Sequence, residues 1–205
     1  MIRHDAADPE GMKTADEAYT ERLLRLTNVP WKKLLDVQAP YRWNLRRLKL
    51  GRVLDVGCGI GRNLRHLDPR SVGVDHNRTS VEFCQASGMS AYGPAEFQEK
   101  FHYGEFDTLL FSHVLEHMTE AEATALTCQY APFLRNSGRA VLITPQELLF
   151  KADSTHVCFV DYKLQQRIVE AAGMRVERRY SFPFPRAFGR LFLYSEFVTV
   201  ARRIS

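Results

Sequence analysis

The chain has 205 residues, 45% of them hydrophobic, and a formal net charge of +4. That length suits one domain with a continuous core. No apolar run approaches the ~20 residues of a membrane span and the N-terminus carries no apolar leader, so a soluble, cytoplasmic protein without a membrane partner is expected. Basic residues are dispersed rather than massed, which leaves a nucleic-acid partner without support though not excluded, and no pattern marks an oligomeric state. Cys58, Cys84, Cys128 and Cys158 stand far apart, as expected of reduced thiols.

In chain order, residues 1–18 are rich in Ala, Asp and Glu without an apolar period, predicting a flexible arm. A single domain follows over 19–205. Its first part, 19–50, reads as a helical cap, with apolar residues at helical spacing from Tyr19 to Leu26 and from Tyr41 to Leu50. After Gly51 short apolar runs alternate with helical patterns. "RVLDVG" precedes Arg62 to Leu67, "SVGVD" precedes Thr79 to Ser87, "FDTLLF" precedes Thr119 to Leu134, and "RAVLIT" precedes Asp161 to Ala172. A weaker strand lies at Met89 to Tyr92. Runs apolar on both faces, separated by helices, require a parallel sheet with crossover connections. The tail differs, because Met174 to Tyr180 and Tyr194 to Arg202 have no crossover helix between them and are expected to pair antiparallel at one edge. The fold class is therefore α/β, a doubly wound, Rossmann-like, mostly parallel seven-stranded sheet with an antiparallel edge strand and N-terminal helices.

The stretch "VLDVGCGIGRNL" ends the first strand in Asp55, Val56 and Gly57 and turns through Cys58, Gly59 and Gly61. Glycines let the backbone turn tightly and approach a ligand. A dinucleotide fingerprint wants its third glycine where Arg62 stands, which counts against NAD and FAD. The second strand ends in Asp75, eighteen residues beyond Gly57 and placed to accept both hydroxyls of a ribose. An adenosine-type ligand without a pyrophosphate fits both facts.

With "VGVDHN", "FDTLLFSHVLEHM" and "GRAVLIT" following in order, the sequence resembles the class I S-adenosylmethionine-dependent methyltransferases over roughly residues 50 to 200. That resemblance implies S-adenosyl-L-methionine as cofactor. It assigns Asp55, Gly57 and Gly59 to the methionine part, with Cys58 and Gly61 completing the turn and Asn63 or Arg62 facing the carboxylate. Asp75 takes the ribose and His76 lies near the adenine. Glu96 stands where the adenine contact of the family falls, and Ser112 or His113 lies near the transferring methyl.

"SHVLEHM" puts His113, Glu116 and His117 within five residues after the fourth strand. If a helix begins there, all three share a face. His156, in "DSTHVCF" after the fifth strand, reaches the same sheet edge. The set is similar to the metal site of the small-RNA 2′-O-methyltransferases, with Glu116, His117 and His156 matching and His113 in place of a glutamate. The resemblance implies a divalent metal (Mg, Mn or Zn) on His113, Glu116, His117 and His156. With His113 ligating in place of that glutamate, preference would shift from Mg²⁺ toward Mn²⁺, Fe²⁺, Co²⁺ or Zn²⁺. Without a metal, His117 or His156 is the candidate base and His113 a further catalytic candidate; packing beside the cofactor is the bland alternative. H-x-x-E-H also spells a peptidase motif, but a nucleotide-binding pattern around it opposes that reading.

The late segment "RRYSFPFPRAFGRLFLYSEF" carries Tyr180, Phe182, Phe184, Phe188, Phe192 and Tyr194, either an acceptor slot or core beneath an edge hairpin. Arg186 and Arg190 beside it would suit an anion, and Tyr41 and Trp31 could close over the methionine end of the cofactor. The family's N/D-P-P-Y motif for exocyclic amines is missing after the fourth strand. The expected acceptor is thus a hydroxyl on a small molecule or saccharide. An RNA ribose 2′-hydroxyl and a non-catalytic S-adenosylmethionine-binding module are the alternatives.

Overall fold

The computed structural model describes residues 38–189 and 192–204. The expected arm over 1–18, the helix from Tyr19, Trp31 and Arg190 lie outside the described residues. The first described helix is α1 (Ala39–Arg47), with Pro40 in its first turn and Arg46 and Arg47 in its last. Proline tolerates the one position and cations suit the other. The chain then alternates through β1 (Val53–Val56), β2 (Val72–Val74), α2 (Arg78–Ala86), β3 (Ala91–Tyr92), α3 (Pro94–Lys100), β4 (Phe106–Ser112), α4 (Glu120–Tyr130) and β5 (Leu134–Pro145). It ends with α5 (Glu147–Ala152), α6 (Tyr162–Ala171), β6 (Met174–Phe182), α7 (Arg186–Gly189) and β7 (Glu196–Arg203).

The expected apolar runs form one seven-stranded sheet in the order β3-β2-β1-β4-β5-β7-β6. β1 to β5 pair in parallel, while β7 enters antiparallel between β5 and β6. Alternate residues serve opposite faces. Leu54, Leu109 and Leu142 join Phe97, Leu164 and Ile168 in one core, whereas Val53, Leu110 and Val141 join Leu45 and Leu48 of the α1 region in another. Both faces are covered, which explains why these strands read as unbroken apolar runs.

Register decides where function can lie. Val56 sits opposite both Val74 and Phe111, so Gly57, Asp75 and Ser112 emerge together at the carboxyl edge. Glu196 opens β7 opposite Pro145 and Phe182, reaching that edge from the other direction. Helix starts are fixed locally. Asn77 accepts from the Ser80 amide at 2.9 Å, Thr119 and Glu122 form a reciprocal capping box, and Asp161 accepts from Lys163 and Leu164.

Two helices are shorter than their periodicity predicts. The pattern from Arg62 yields only a 3₁₀ turn, Leu64–His66, because Leu67 is already extended ahead of the Asp68-Pro69 turn. The helix from Thr119 stops at Tyr130, where Pro132 converts its end to a 3₁₀ turn, Ala131–Phe133. Three helices have no counterpart in the sequence periodicity: α3, started by Gly93-Pro94, the six-residue α5 and the four-residue α7. Among the described residues no helix is long and apolar enough to cross a membrane.

Candidate active site

The glycine turn is built from backbone that a side chain would not permit. Gly57, Gly59 and Gly61 have φ of 73°, 52° and 71°. A Cβ on Gly57 would also lie 2.5 Å from Cγ2 of Val114, so the turn packs directly against the segment after β4. Asp75 fastens the turn from β2. Its Oδ2 accepts from the Gly59 amide at 2.7 Å and its Oδ1 from the Asn77 amide at 2.9 Å. A carboxylate has about four acceptor positions, so both oxygens keep capacity for a ligand's hydroxyls.

Asp55 is buried behind the turn, and its Oδ2 has no hydrogen-bond partner. Burial, then the neighbouring Asp75 charge, raise its pKa to about 8 against the pull of a hydrogen bond from Asn63. A buried carboxylate with an open oxygen fits an ammonium group, such as the amino group of a bound methionine moiety. At pH 7 the free protein holds Asp55 protonated, and a nearby ammonium favours its charged form. Cofactor binding is therefore expected to release roughly one proton at pH 7 and to tighten as pH rises toward 8. Calorimetry in buffers of differing ionisation enthalpy should give different heats, and Asp55→Asn should erase the difference; equal heats for the unmodified protein would refute this linkage.

Cys58 packs beneath the turn. A Cβ on Gly73 would meet its Sγ at 2.6 Å, and hydrogen bonding with Cys84 followed by burial pushes its thiol pKa far up. It fills space and supplies no nucleophile. His76 is exposed, 3.6 Å from Asp75 Oδ1, and Glu96 is exposed on α3 with Lys100 of the same helix as its partner. Ser112 ends β4 half-buried at the carboxyl edge.

The segment after β4 departs from the expected helix. His113 has a φ of 56°, and only a 3₁₀ turn, Leu115–His117, follows. Its Nδ1 lies 3.1 Å from Glu116 Oε1 and its Nε2 2.8 Å from Glu196 Oε1. Burial alone would lower the His113 pKa; the two carboxylates outweigh it and raise it to about 10. The expectation that His113 is a metal ligand is corrected, since both ring nitrogens are engaged by carboxylates and neither is left to coordinate.

The other three residues do converge. Glu116, His117 and His156 each place one ligand-type atom within 4.8 Å of the others. Glu116 is 0% exposed, and its Oε2 has no partner. His117 Nδ1 donates to the Thr155 carbonyl at 3.2 Å and His156 Nδ1 to the Phe150 carbonyl at 2.8 Å, which fixes both rings with an Nε2 lone pair. The loop holding His156 is tied to the 3₁₀ turn by the Val157 and Cys158 amides, which donate to the Glu116 carbonyl. Imidazoles held by backbone carbonyls beside an open carboxylate oxygen are chemically a divalent-cation donor set.

The late aromatic segment divides. Tyr180 and Phe182 pack on the core, whereas Phe184, Phe188, Phe192 and Tyr194 are exposed, with Phe184 edge-on to Phe192 at 5.0 Å. Tyr41 joins this loop, its hydroxyl donating to the Tyr194 carbonyl at 2.6 Å. Arg186 is held by Gln146 and Glu147 of the segment after β5. Glu196 is the residue that sequence reasoning missed. The available signal was a lone carboxylate immediately before the mostly apolar run Phe197 to Ala201.

A glycine turn, a carboxylate at the end of β2 and this strand order together define a Rossmann-like methyltransferase fold. The chain belongs to the methyltransferase domain family, whose model matches residues 20–201. It is an S-adenosylmethionine-dependent methyltransferase. A SAM-dependent methyltransferase from Archaeoglobus fulgidus is 20% identical, with a TM-score of 0.61 over 84% of this chain and 97% of that one. A putative methyltransferase of Haloferax volcanii, solved in complex with the Trm112 methyltransferase activator, is 15% identical, with a TM-score of 0.66 over 92% and 96%. The magnesium protoporphyrin IX methyltransferase of Synechocystis PCC 6803, with bound SAH, is 16% identical, with a TM-score of 0.56 over 95% and 84%. At these identities the likeness is one of fold. No curated protein matches the chain in sequence.

Proposed function

We propose that the protein methylates a hydroxyl of a small-molecule acceptor, assisted by a divalent cation held by Glu116, His117 and His156. The carrying observation is the convergence of these three side chains within 4.8 Å at the edge that also presents the glycine turn. Bound there, S-adenosylmethionine supplies a methyl group on a good leaving group, and a cation supplies the Lewis acidity that lowers an acceptor hydroxyl's pKa. The protein's part is to hold and orient. Asp75 offers acceptors to the ribose, Asp55 an open oxygen to the amino group, and the positive-φ glycines let the backbone approach. Two imidazoles and one carboxylate suit Mn²⁺, Fe²⁺, Co²⁺ or Zn²⁺ better than Mg²⁺, which prefers oxygen ligands.

The rim supports a small and partly apolar acceptor. Seven of the ten exposed large hydrophobic side chains among the described residues, from Leu148 and Val157 to Tyr194, lie between β5 and β7. Phe184, Phe192 and Tyr194 are in ring contact, at 5.0 and 6.2 Å between centroids, and an exposed apolar patch of this kind suits a binding surface. Arg186, already held by Glu147 and Gln146, is not set out as a phosphate clamp. Titrating Mn²⁺, Zn²⁺ and Mg²⁺ into the S-adenosylhomocysteine complex by calorimetry tests the cation. Saturable binding is expected for the first two, weaker binding for Mg²⁺, and none with His156→Ala. Absence of binding to the unmodified protein would overturn the metal-assisted reading.

A further inference from the structure

We propose that His113 is a positioning residue, whose ring, clamped between Glu196 and Glu116, orients the Glu116 carboxylate for the cation site and ties that site to the end of the acceptor loop. The inference rests on the cation reading above and adds two residues, His113 and Glu196, that coordinate nothing themselves.

Carboxylate oxygens only accept, so a ring lying 3.1 Å from one and 2.8 Å from another must donate from both nitrogens. Only the imidazolium does that. One cation thus answers two carboxylates of very low exposure, with His113 itself 28% exposed. Without it, Glu116 and Glu196 would face each other as like charges in a poorly solvated place, a costly arrangement.

The clamp also selects which oxygen of Glu116 remains open. His113 engages Oε1, and Oε2 is the buried atom left without a partner in a side chain that converges with His117 and His156. A carboxylate tied at one oxygen loses the rotation that would otherwise be frozen on ligand binding. Partners of this kind, one step removed from the metal, commonly change metal affinity by about 10- to 100-fold. The backbone is committed to the geometry as well. His113 holds a left-handed φ of 56° while its amide donates to the Ile143 carbonyl at 3.0 Å. Non-glycine residues adopt that region uncommonly, and it persists where surrounding structure fixes it.

Glu196 gives the clamp its reach. It is the first residue of β7, directly after the segment bearing Phe184, Phe188, Phe192 and Tyr194, and its carbonyl accepts from the Gln146 side chain at 2.8 Å. Gln146 in turn accepts from Arg186 of the same segment. The acceptor rim and the cation donors are therefore joined by one hydrogen-bonded chain, Arg186 to Gln146 to Glu196 to His113 to Glu116.

The test compares Mn²⁺ affinity with S-adenosylhomocysteine affinity in the full chain, reading free Mn²⁺ by electron paramagnetic resonance. His113→Asn is expected to weaken Mn²⁺ binding about 10- to 100-fold while S-adenosylhomocysteine binding persists. Glu196→Gln, which keeps a hydrogen-bond acceptor but removes the charge, should give a smaller loss in the same direction and guards against misfolding of the first variant. Glu196→Asp, which keeps the charge, should recover part of the Glu196→Gln loss, as no purely structural role requires. If the unmodified protein binds Mn²⁺ and both His113→Asn and Glu196→Gln bind it equally well, the positioning role is refuted and the cation site stands. If the unmodified protein binds none, the cation reading fails and takes this inference with it.

Discussion

Asp75→Ala is expected to weaken S-adenosylhomocysteine binding by at least about 100-fold. A hydrogen bond to a charged acceptor contributes about 1.5–3 kcal/mol, so two ribose hydroxyls facing one carboxylate amount to roughly two to four orders of magnitude in affinity. A second loss compounds the first. The Gly59 and Asn77 amides at 2.7 and 2.9 Å would lose their shared acceptor, freeing the glycine turn and loosening the start of α2. Asp75→Asn retains a carbonyl oxygen but turns the other position into a donor, so it should fall between alanine and the unmodified protein. Equilibrium dialysis measures all three. Affinity within threefold for the alanine variant would show that Asp75 braces the turn without holding the ribose.

The parts of this molecule that were legible in its sequence are those whose physics is local. The spacing of Gly57, Gly59 and Gly61 reports a backbone requirement, and the structure realises it as three positive φ angles. Apolar runs such as "VLDV" report burial on both sheet faces, and those residues are buried. His156 was legible only through topology, because the end of β5 had to return to the edge where β4 ends. His113 was misread for a definite reason. Its spacing from Glu116 and His117 puts all three on one face only in an α-helix, and a left-handed residue followed by a 3₁₀ turn breaks that geometry. Its deciding partner, Glu196, is 83 residues away, beyond any local pattern. The aromatic segment was ambiguous for a similar reason. Tyr180 and Phe182 are core while Phe184 and Phe188 are rim, and the change falls where β6 ends rather than at any change in residue type.

Glu116→Gln should separate ligation from packing at the cation site. The substitution keeps size and shape at a side chain with 0% exposure, so no cavity opens. The amide carbonyl can still accept from His113 Nδ1, which places the amide nitrogen where Oε2 stood and turns two hydrogens toward the space a cation would fill. Binding of Mn²⁺ is expected to fall by at least about 100-fold, equivalent to about 2.8 kcal/mol at 1.4 kcal/mol per tenfold, and metal-stimulated turnover with it. Stability should fall too, by about 1–3 kcal/mol, because the His113 imidazolium then faces only one carboxylate, Glu196. His156→Ala provides the contrast. It removes a ligand, and the Phe150 stack at 5.2 Å, without touching the clamp, so it should abolish metal binding at a smaller cost to stability. Calorimetric metal titration beside thermal unfolding resolves the two effects. Unchanged Mn²⁺ affinity in Glu116→Gln would remove the carboxylate from the donor set and leave His117 and His156 as the side chains that hold the cation.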